Sequence, residues 1–287
     1  MIPRIEFGRT QHQSSRIIFG GYALSNATQE EADAVLKLLL KYGINHIDTA
    51  RIYGKAEERI GIWMENHRND FFLATKVRNR QYEQAWEQIK KSLEMLRVKS
   101  VDLLQIHALT NPQGWETAMS KEGALQALIE ARDQGLVKYL GVTGHGGKAA
   151  KMHLQSLERF DFDSVLLVFN YLQMKYKNYA VQFEELLKIC EDRNIAVQTI
   201  KSVAGRPWEG QEKKYNTYFY EPLIEQEAID QAIHWVLGRE NIFIISSGDM
   251  KILPKVLDAA EKFKERPTEL EMESLVEEYK MKHIFTY

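Results

Sequence analysis

Short apolar, β-branched runs recur eight times along the chain, each followed by a longer amphipathic stretch. This alternation restricts the fold more than any other feature of the sequence. The runs occupy residues 17–24, 44–49, 71–77, 101–107, 137–143, 164–170, 195–201 and 242–246. Helix-patterned stretches fill the intervals at 30–42, 56–66, 83–96, 121–134, 147–158, 178–193 and 227–237, and another, 251–263, follows the eighth run. Such repeats build a parallel sheet, and eight of them within 287 residues suit a closed (β/α)8 TIM barrel. The spare length falls at the two ends. Residues 4–15 predict a short plug or hairpin before the barrel, and residues 268–282 an extra helix after it. No low-complexity linker interrupts the pattern, so one barrel domain is expected over residues 1–287.

Composition narrows the partners. Apolar residues make up 44% of the chain, enough to build a core, and 27% charged residues suit a solvated surface. The 38 basic and 40 acidic side chains nearly cancel, so no overall field attracts nucleic acid or an anionic membrane, and a small-molecule substrate is the expectation. Cys190 is the lone cysteine, which precludes an intramolecular disulfide and points to a reducing, cytoplasmic setting. Its helical spacing makes it a small core residue. No apolar run approaches the roughly 20 residues of a membrane span, and residues 1–13 carry no signal-peptide pattern. His46, His67, His153, His234 and His283 lack the paired spacing of zinc ligands, so no metal is expected.

Strand C-terminal ends converge on one face of a barrel, so polar residues where apolar runs stop can meet around a substrate. Asp48 ends the second run, Lys76 lies near the end of the third and His107 ends the fourth, while Tyr53 follows Asp48 by five residues. Singly, each has an ordinary reading: an aspartate caps a helix and a tyrosine packs. Together they form an acid/base unit. A carbonyl receiving hydride needs a proton on its oxygen, and a free phenol near pKa 10 is a reluctant donor. An ammonium at Lys76 would lower the Tyr53 pKa, Asp48 would keep that ammonium charged, and His107 would orient the carbonyl or assist the proton transfer. Lys76 is costly to bury without a partner, and Asp48 is available.

At these residues the chain resembles the aldo-keto reductase family. The likeness rests on Asp48-Thr49-Ala50-Arg51-Ile52-Tyr53-Gly54-Lys55-Ala56-Glu57-Glu58-Arg59-Ile60-Gly61, Thr75-Lys76 and Gln105-Ile106-His107. It continues through Gly141-Val142-Thr143-Gly144-His145 and Ile200-Lys201-Ser202 to Ser246-Ser247-Gly248. The resemblance implies a catalytic tetrad of Asp48, Tyr53, Lys76 and His107, with NADPH extended across the barrel mouth and no Rossmann domain.

The same resemblance implies cofactor contacts. Gly21 and Tyr22 match residues near the nicotinamide ribose. Thr143, His145 and Asn170 stand where the family often has carboxamide partners, and Ile200 takes the place of a common stacking aromatic. Lys201, Ser202 and Arg206 would meet the pyrophosphate, with Lys201 also open to a solvent-facing reading; independently, Ser246-Ser247-Gly248-Asp249 precedes the helix pattern at 251–263, whose first N–H groups attract phosphate, or is simply a capped turn. Ser247 replaces a basic residue often found against the 2′-phosphate, Asp249 would repel that phosphate unless turned away, and Lys251 would compensate. NADP(H) is thus expected ahead of NAD(H). Trp115, Trp208, Tyr218 and Phe219, in or near loops 108–120 and 206–222, are candidates for an aromatic wall on the substrate. Two other readings stay open: a non-catalytic, nicotinamide-binding redox sensor or regulatory subunit, and a phosphate-substrate barrel with Lys76 as a Schiff-base amine.

Overall fold

The computed structural model describes residues 1–210 and 212–285; Gln211, Thr286 and Tyr287 lie outside the described residues. Two strands, β1 (Arg4–Glu6) and β2 (Gln13–Ser15), pair as an antiparallel hairpin. Then come β3 (Ile17–Gly20), β4 (His46–Asp48), β5 (Phe72–Val77), β6 (Val101–Ile106), β7 (Val137–Thr143), β8 (Ser164–Val168) and β9 (Ala196–Ile200). A second hairpin, β10 (Ala204–Pro207) with β11 (Tyr220–Pro222), precedes β12 (Ile242–Ile245). Strands β3 to β9 are parallel, and β12 pairs with both β3 and β9, closing an eight-stranded barrel.

Helices α1 (Gln29–Tyr42), α2 (Ala56–His67), α3 (Tyr82–Met95), α4 (Pro112–Met119), α5 (Ala124–Asp133), α6 (Ala149–Arg159), α7 (Tyr171–Met174), α8 (Lys177–Asp192), α9 (Gln226–Leu237), α10 (Leu253–Glu261) and α11 (Glu269–Glu278) complete the order. Local chemistry sets their ends. Thr28 and Glu31 form a capping box at the start of α1, and Gly43, at φ 73°, ends it. Three expectations shift. The first apolar run yields a strand only to Gly20, because residues 21–24 turn into a 3-10 helix whose Ala23 and Leu24 are buried; their apolarity reports burial, not extension. Within the expected loop 108–120, the Asn111 side chain caps α4, with Pro112 in the first turn. The helix after the eighth strand starts at Leu253 instead of residue 251.

Side chains alternate along each strand between two cores. Outward residues such as Ile17, Phe19, Ile47, Leu73, Leu104, Val142, Val165 and Ile244 pack under the helices. Inward residues Ile18, Phe72, Ala74, Leu103, Leu166, Ala196, Phe243 and Ile245 fill the barrel. The N-terminal hairpin plugs one end with Phe7, whose ring lies 4.8 Å from His46, 5.5 Å from Phe72 and 4.9 Å from Phe243. Among the described residues, no helix is long and apolar enough to cross a membrane.

Candidate active site

Strand parity builds the opposite end. Phe72 and Ala74 face inward, so Lys76 does too; the same count along β6 and its extension turns Leu103, Gln105 and His107 inward. Asp48, Lys76, His107, Thr143, Leu166, Ile200 and Ile245 thus come from different parts of the barrel to one cavity of about 560 Å³. Tyr53 joins them from the loop after β4. Its N–H donates to the Ala50 carbonyl at 2.9 Å, and its own carbonyl accepts from the Ala56 N–H at 2.9 Å. Gly54 makes that turn possible: its φ is 53°, and a Cβ there would stand 2.4 Å from the Ser25 carbonyl oxygen.

Lys76 and Asp48 are both 2% exposed and form a buried ion pair. The ammonium donates to Asp48 Oδ2 and, at 2.9 Å, to the Thr49 carbonyl. Gln105 Nε2 donates to Asp48 Oδ1 at 2.7 Å, so both carboxylate oxygens are engaged. Gln198 Nε2 in turn donates to Gln105 Oε1 at 3.0 Å. Gly141 leaves room for this chain, since a Cβ at that position would lie 3.0 Å from Gln105 Cγ and 2.3 Å from Ser164 Oγ. Burial opposes the Lys76 ammonium, yet Asp48 and Tyr53 more than offset it and hold its pKa above the ordinary lysine value. Burial lifts the Asp48 carboxyl above the usual aspartate value, with Lys76 and Gln105 pulling the other way.

Lys76 Nζ sits 5.0 Å from the centre of the Tyr53 ring. The expected net lowering of the Tyr53 pKa does not occur in this structure. Burial of the phenol raises it, and the opposing Lys76 charge offsets only part of that rise. The rings of Tyr53 and His107 meet edge to face at 5.7 Å, and Tyr22 packs edge-on against Tyr53 at 5.2 Å. Burial, reinforced by Lys76, holds the His107 pKa well below the usual histidine value, so the ring is neutral at pH 7. Arg80 steadies the backbone here, donating to the His107 and Ala108 carbonyls at 2.7 and 3.0 Å.

The remaining candidates divide. Tyr22, Thr143, His145, Ile200, Lys201, Tyr218, Phe219 and Gly248 line the cavity; Ser202 and Ser247 line a smaller crevice with Lys201 and Ser246. Gly20, not Gly21, faces the cavity, because Gly21 packs against Thr49. Asn170 spends its amide on the backbone: Oδ1 accepts from the Gln173 N–H at 2.8 Å, and Nδ2 donates to the Lys201 carbonyl at 3.0 Å. Arg206 pairs with Glu221 at 3.0 Å, away from the cavity lining. Asp249 is turned away, its carboxylate accepting the Asn216 and Lys251 N–H groups at 2.6 and 2.7 Å, and the Lys251 side chain is exposed.

Two aromatic candidates also fall outside the lining. Trp115 is 7% exposed and donates to Ser156 Oγ at 2.9 Å, packing α4 on α6. Trp208 donates to the Thr217 carbonyl at 2.9 Å, a contact internal to its own loop. Gln105, Gln198, Arg78 and Tyr220 join the site without having been among the sequence candidates. The first and third stand two residues from His107 and Lys76, and that spacing was the available signal for a shared face.

The family model described as "Aldo/keto reductase family" matches residues 16–265. The chain belongs to this family. An uncharacterized oxidoreductase of Bacillus subtilis (strain 168), YqkF, is 26% identical over 183 residues, covering 59% of this chain and 55% of that protein. Human aldo-keto reductase family 1 member C2 is 24% identical over 223 residues, covering 66% of this chain and 64% of the human protein. The matches therefore span between about half and just under two thirds of these relatives' own length. An aldo-keto reductase from Klebsiella pneumoniae, solved in complex with NADPH, superposes with a TM-score of 0.69 at 16% identity, over 99% of this chain and 97% of that one. At that identity the likeness speaks for the aldo-keto reductase barrel.

Proposed function

We propose that this family member is an NAD(P)H-dependent oxidoreductase that reduces aldehyde or ketone carbonyls, with Tyr53 as the general acid and Lys76, Asp48 and His107 assisting it. The observation that carries the reading is the buried Lys76 ammonium, held by Asp48 within 5.0 Å of the Tyr53 ring centre in a cavity. A structural ion pair alone would gain little from such burial, since desolvation offsets most of the attraction.

The phenol's raised pKa keeps Tyr53 protonated at neutral pH, as an acid must be before it reacts. Its proton passes to the carbonyl oxygen, and the Lys76 ammonium stabilises the phenolate left behind. Asp48 keeps Lys76 charged and fixed, while neutral His107 offers a hydrogen bond that aligns the carbonyl. Reduced nicotinamide would supply the hydride. Residues fitted to hold it are Tyr22, Thr143, His145 and Ile200 at the cavity, then Ser202, Ser247 and Gly248. The fit rests on buried hydrogen-bonding atoms that lack protein partners, His145 Nδ1 and Ser202 Oγ, along that path. The NADPH named in the Klebsiella structure supports NADP(H) over NAD(H).

Multiple-turnover oxidation of NADPH with a panel of aldehydes tests the reading. Tyr53→Phe is expected to cut kcat at least about 10²-fold while leaving NADPH affinity intact. Full activity in this variant would reject Tyr53 as the acid, and cofactor binding without turnover in the unaltered protein would favour a sensor.

A further inference from the structure

The cavity carries more positive charge than its acid/base unit uses. Lys76, Arg78 and Lys201 line it, against the single carboxylate of Asp48, which is already bound to Lys76 and Gln105. Among the described residues, neither Arg78 nor Lys201 forms an ion pair with a carboxylate. Lys201 is 8% exposed, and its backbone turns out of β9 at φ 67°, with its carbonyl pinned by Asn170. This turn aims the side chain. Its ammonium lies 4.5 Å from the centre of the Phe219 ring and 5.7 Å from that of Phe285.

The direction is informative. The sequence resemblance put Lys201 on the cofactor pyrophosphate, but its ammonium rests on the aromatic wall next to His145, whose ring is 5.8 Å from Phe219 and 6.1 Å from His107. The Lys201 charge acts on His145, and the Arg78 charge acts on both His107 and His145. Two cations without carboxylate partners, the buried Lys201 and the exposed Arg78, therefore line the cavity that holds this histidine pair and Tyr53. Burial with no counter-ion drops the Lys201 pKa to about 7, so an arriving anion restores its full charge. Phe219 and Tyr218 add aromatic surface to the same cavity.

We infer that Lys201, assisted by Arg78, binds a carboxylate on the substrate, so that the preferred carbonyl compounds are oxo acids and carboxylated aldehydes. This inference rests on the carbonyl-reductase reading for its chemistry, but the anion subsite can be measured without turnover. With NADPH, 4-carboxybenzaldehyde is compared with its neutral ester, methyl 4-formylbenzoate. The acid is expected to show a kcat/KM about 10-fold above the ester, through KM, from one charge-assisted contact. Lys201→Met is expected to erase that ratio, and Lys201→Arg to retain most of it.

Binding of 4-methylbenzoate, followed by ligand-observed NMR on the NADPH-loaded protein, supplies the second readout: it is expected in the unaltered protein and lost in Lys201→Met. Absence of turnover with 4-methylbenzoate still bound through Lys201 would sink the carbonyl-reductase reading and leave the anion subsite standing. Equal kcat/KM for acid and ester, or an unchanged ratio in Lys201→Met with weakened NADPH affinity, would overturn the inference and return this lysine to the cofactor.

Discussion

Gln105 donates to Asp48 Oδ1 at 2.7 Å, and this bond ties the buried ion pair to the far side of the barrel through Gln198. Gln105→Leu leaves one carboxylate oxygen without its partner and the Gln198 amide with only a long contact to Ser164 Oγ at 3.4 Å. The expected loss is about 1–3 kcal/mol of stability. Asp48→Asn strips the counter-charge from a fully buried ammonium and is expected to cost more, about 3–5 kcal/mol. Urea denaturation of the three proteins at pH 7.5 gives the ranking; equal midpoints for all would show that the pair is not held by this network.

The proposed reduction takes its pH dependence from two shifts. Tyr53 is needed protonated and its pKa lies above the ordinary value, while His107 is needed neutral and its pKa lies well below its own. With an uncharged aldehyde and saturating cofactor, kcat is therefore expected to stay level from about pH 7 to 9, on either side of which the ordinary His and Tyr values of roughly 6.5 and 10 lie. Initial rates across that range decide it. A titration centred near pH 8 would contradict the assignment of one group or the other.

Stability should respond to acid through His153. This side chain is 0% exposed, its Nε2 is 2.9 Å from the Leu166 carbonyl oxygen, and burial drops its pKa to about 4. The folded value is below the unfolded one near 6.5, so the unfolded chain binds the proton first. The neutral ring's contribution is complete above about pH 6.5 and is lost as pH falls towards 4, at a cost of about 3 kcal/mol. His153→Gln should flatten this part of the curve, read as the difference in unfolding free energy between pH 7.5 and 4.5. His46, His107 and His145 are shifted in the same direction and keep some slope in the variant. An unchanged slope would remove His153 from the account.

Gly61 sets helix propensity against packing. Alanine is favoured inside a helix by about 1 kcal/mol. Here its Cβ would stand 2.2 Å from the Met95 carbonyl oxygen, a rigid backbone atom where α2 meets α3. Overpacking of that kind costs about 1–3 kcal/mol, so Gly61→Ala is expected to lower the thermal midpoint by a few degrees. A raised midpoint would mean that the two helices can move apart at little cost.

Much of the fold is legible in the sequence. The eight apolar runs became the eight barrel strands, and the residues at 4–15 and 268–282 became the N-terminal hairpin and α11. Asp48, Lys76 and His107 were named from strand ends and Tyr53 from the loop after Asp48, and all four line one cavity. The reason is periodicity: in a closed barrel, position along a strand fixes both the face and the height of a side chain. The aromatic wall was less legible. Trp115 and Trp208 have the composition of pocket residues, but each indole N–H found a partner elsewhere, in Ser156 and in the Thr217 carbonyl.

The sequence by itself determined the barrel and the inward register that gathers Asp48, Lys76 and His107, because local alternation and strand order suffice for both. Tertiary structure alone decided the sign of the Tyr53 pKa shift, the role of Gln105 between two strands, and the aim of the Lys201 ammonium at the aromatic wall. These depend on how deeply a group is buried and which non-neighbouring atoms surround it. Both are properties of the packed barrel, and no spacing along the chain encodes them.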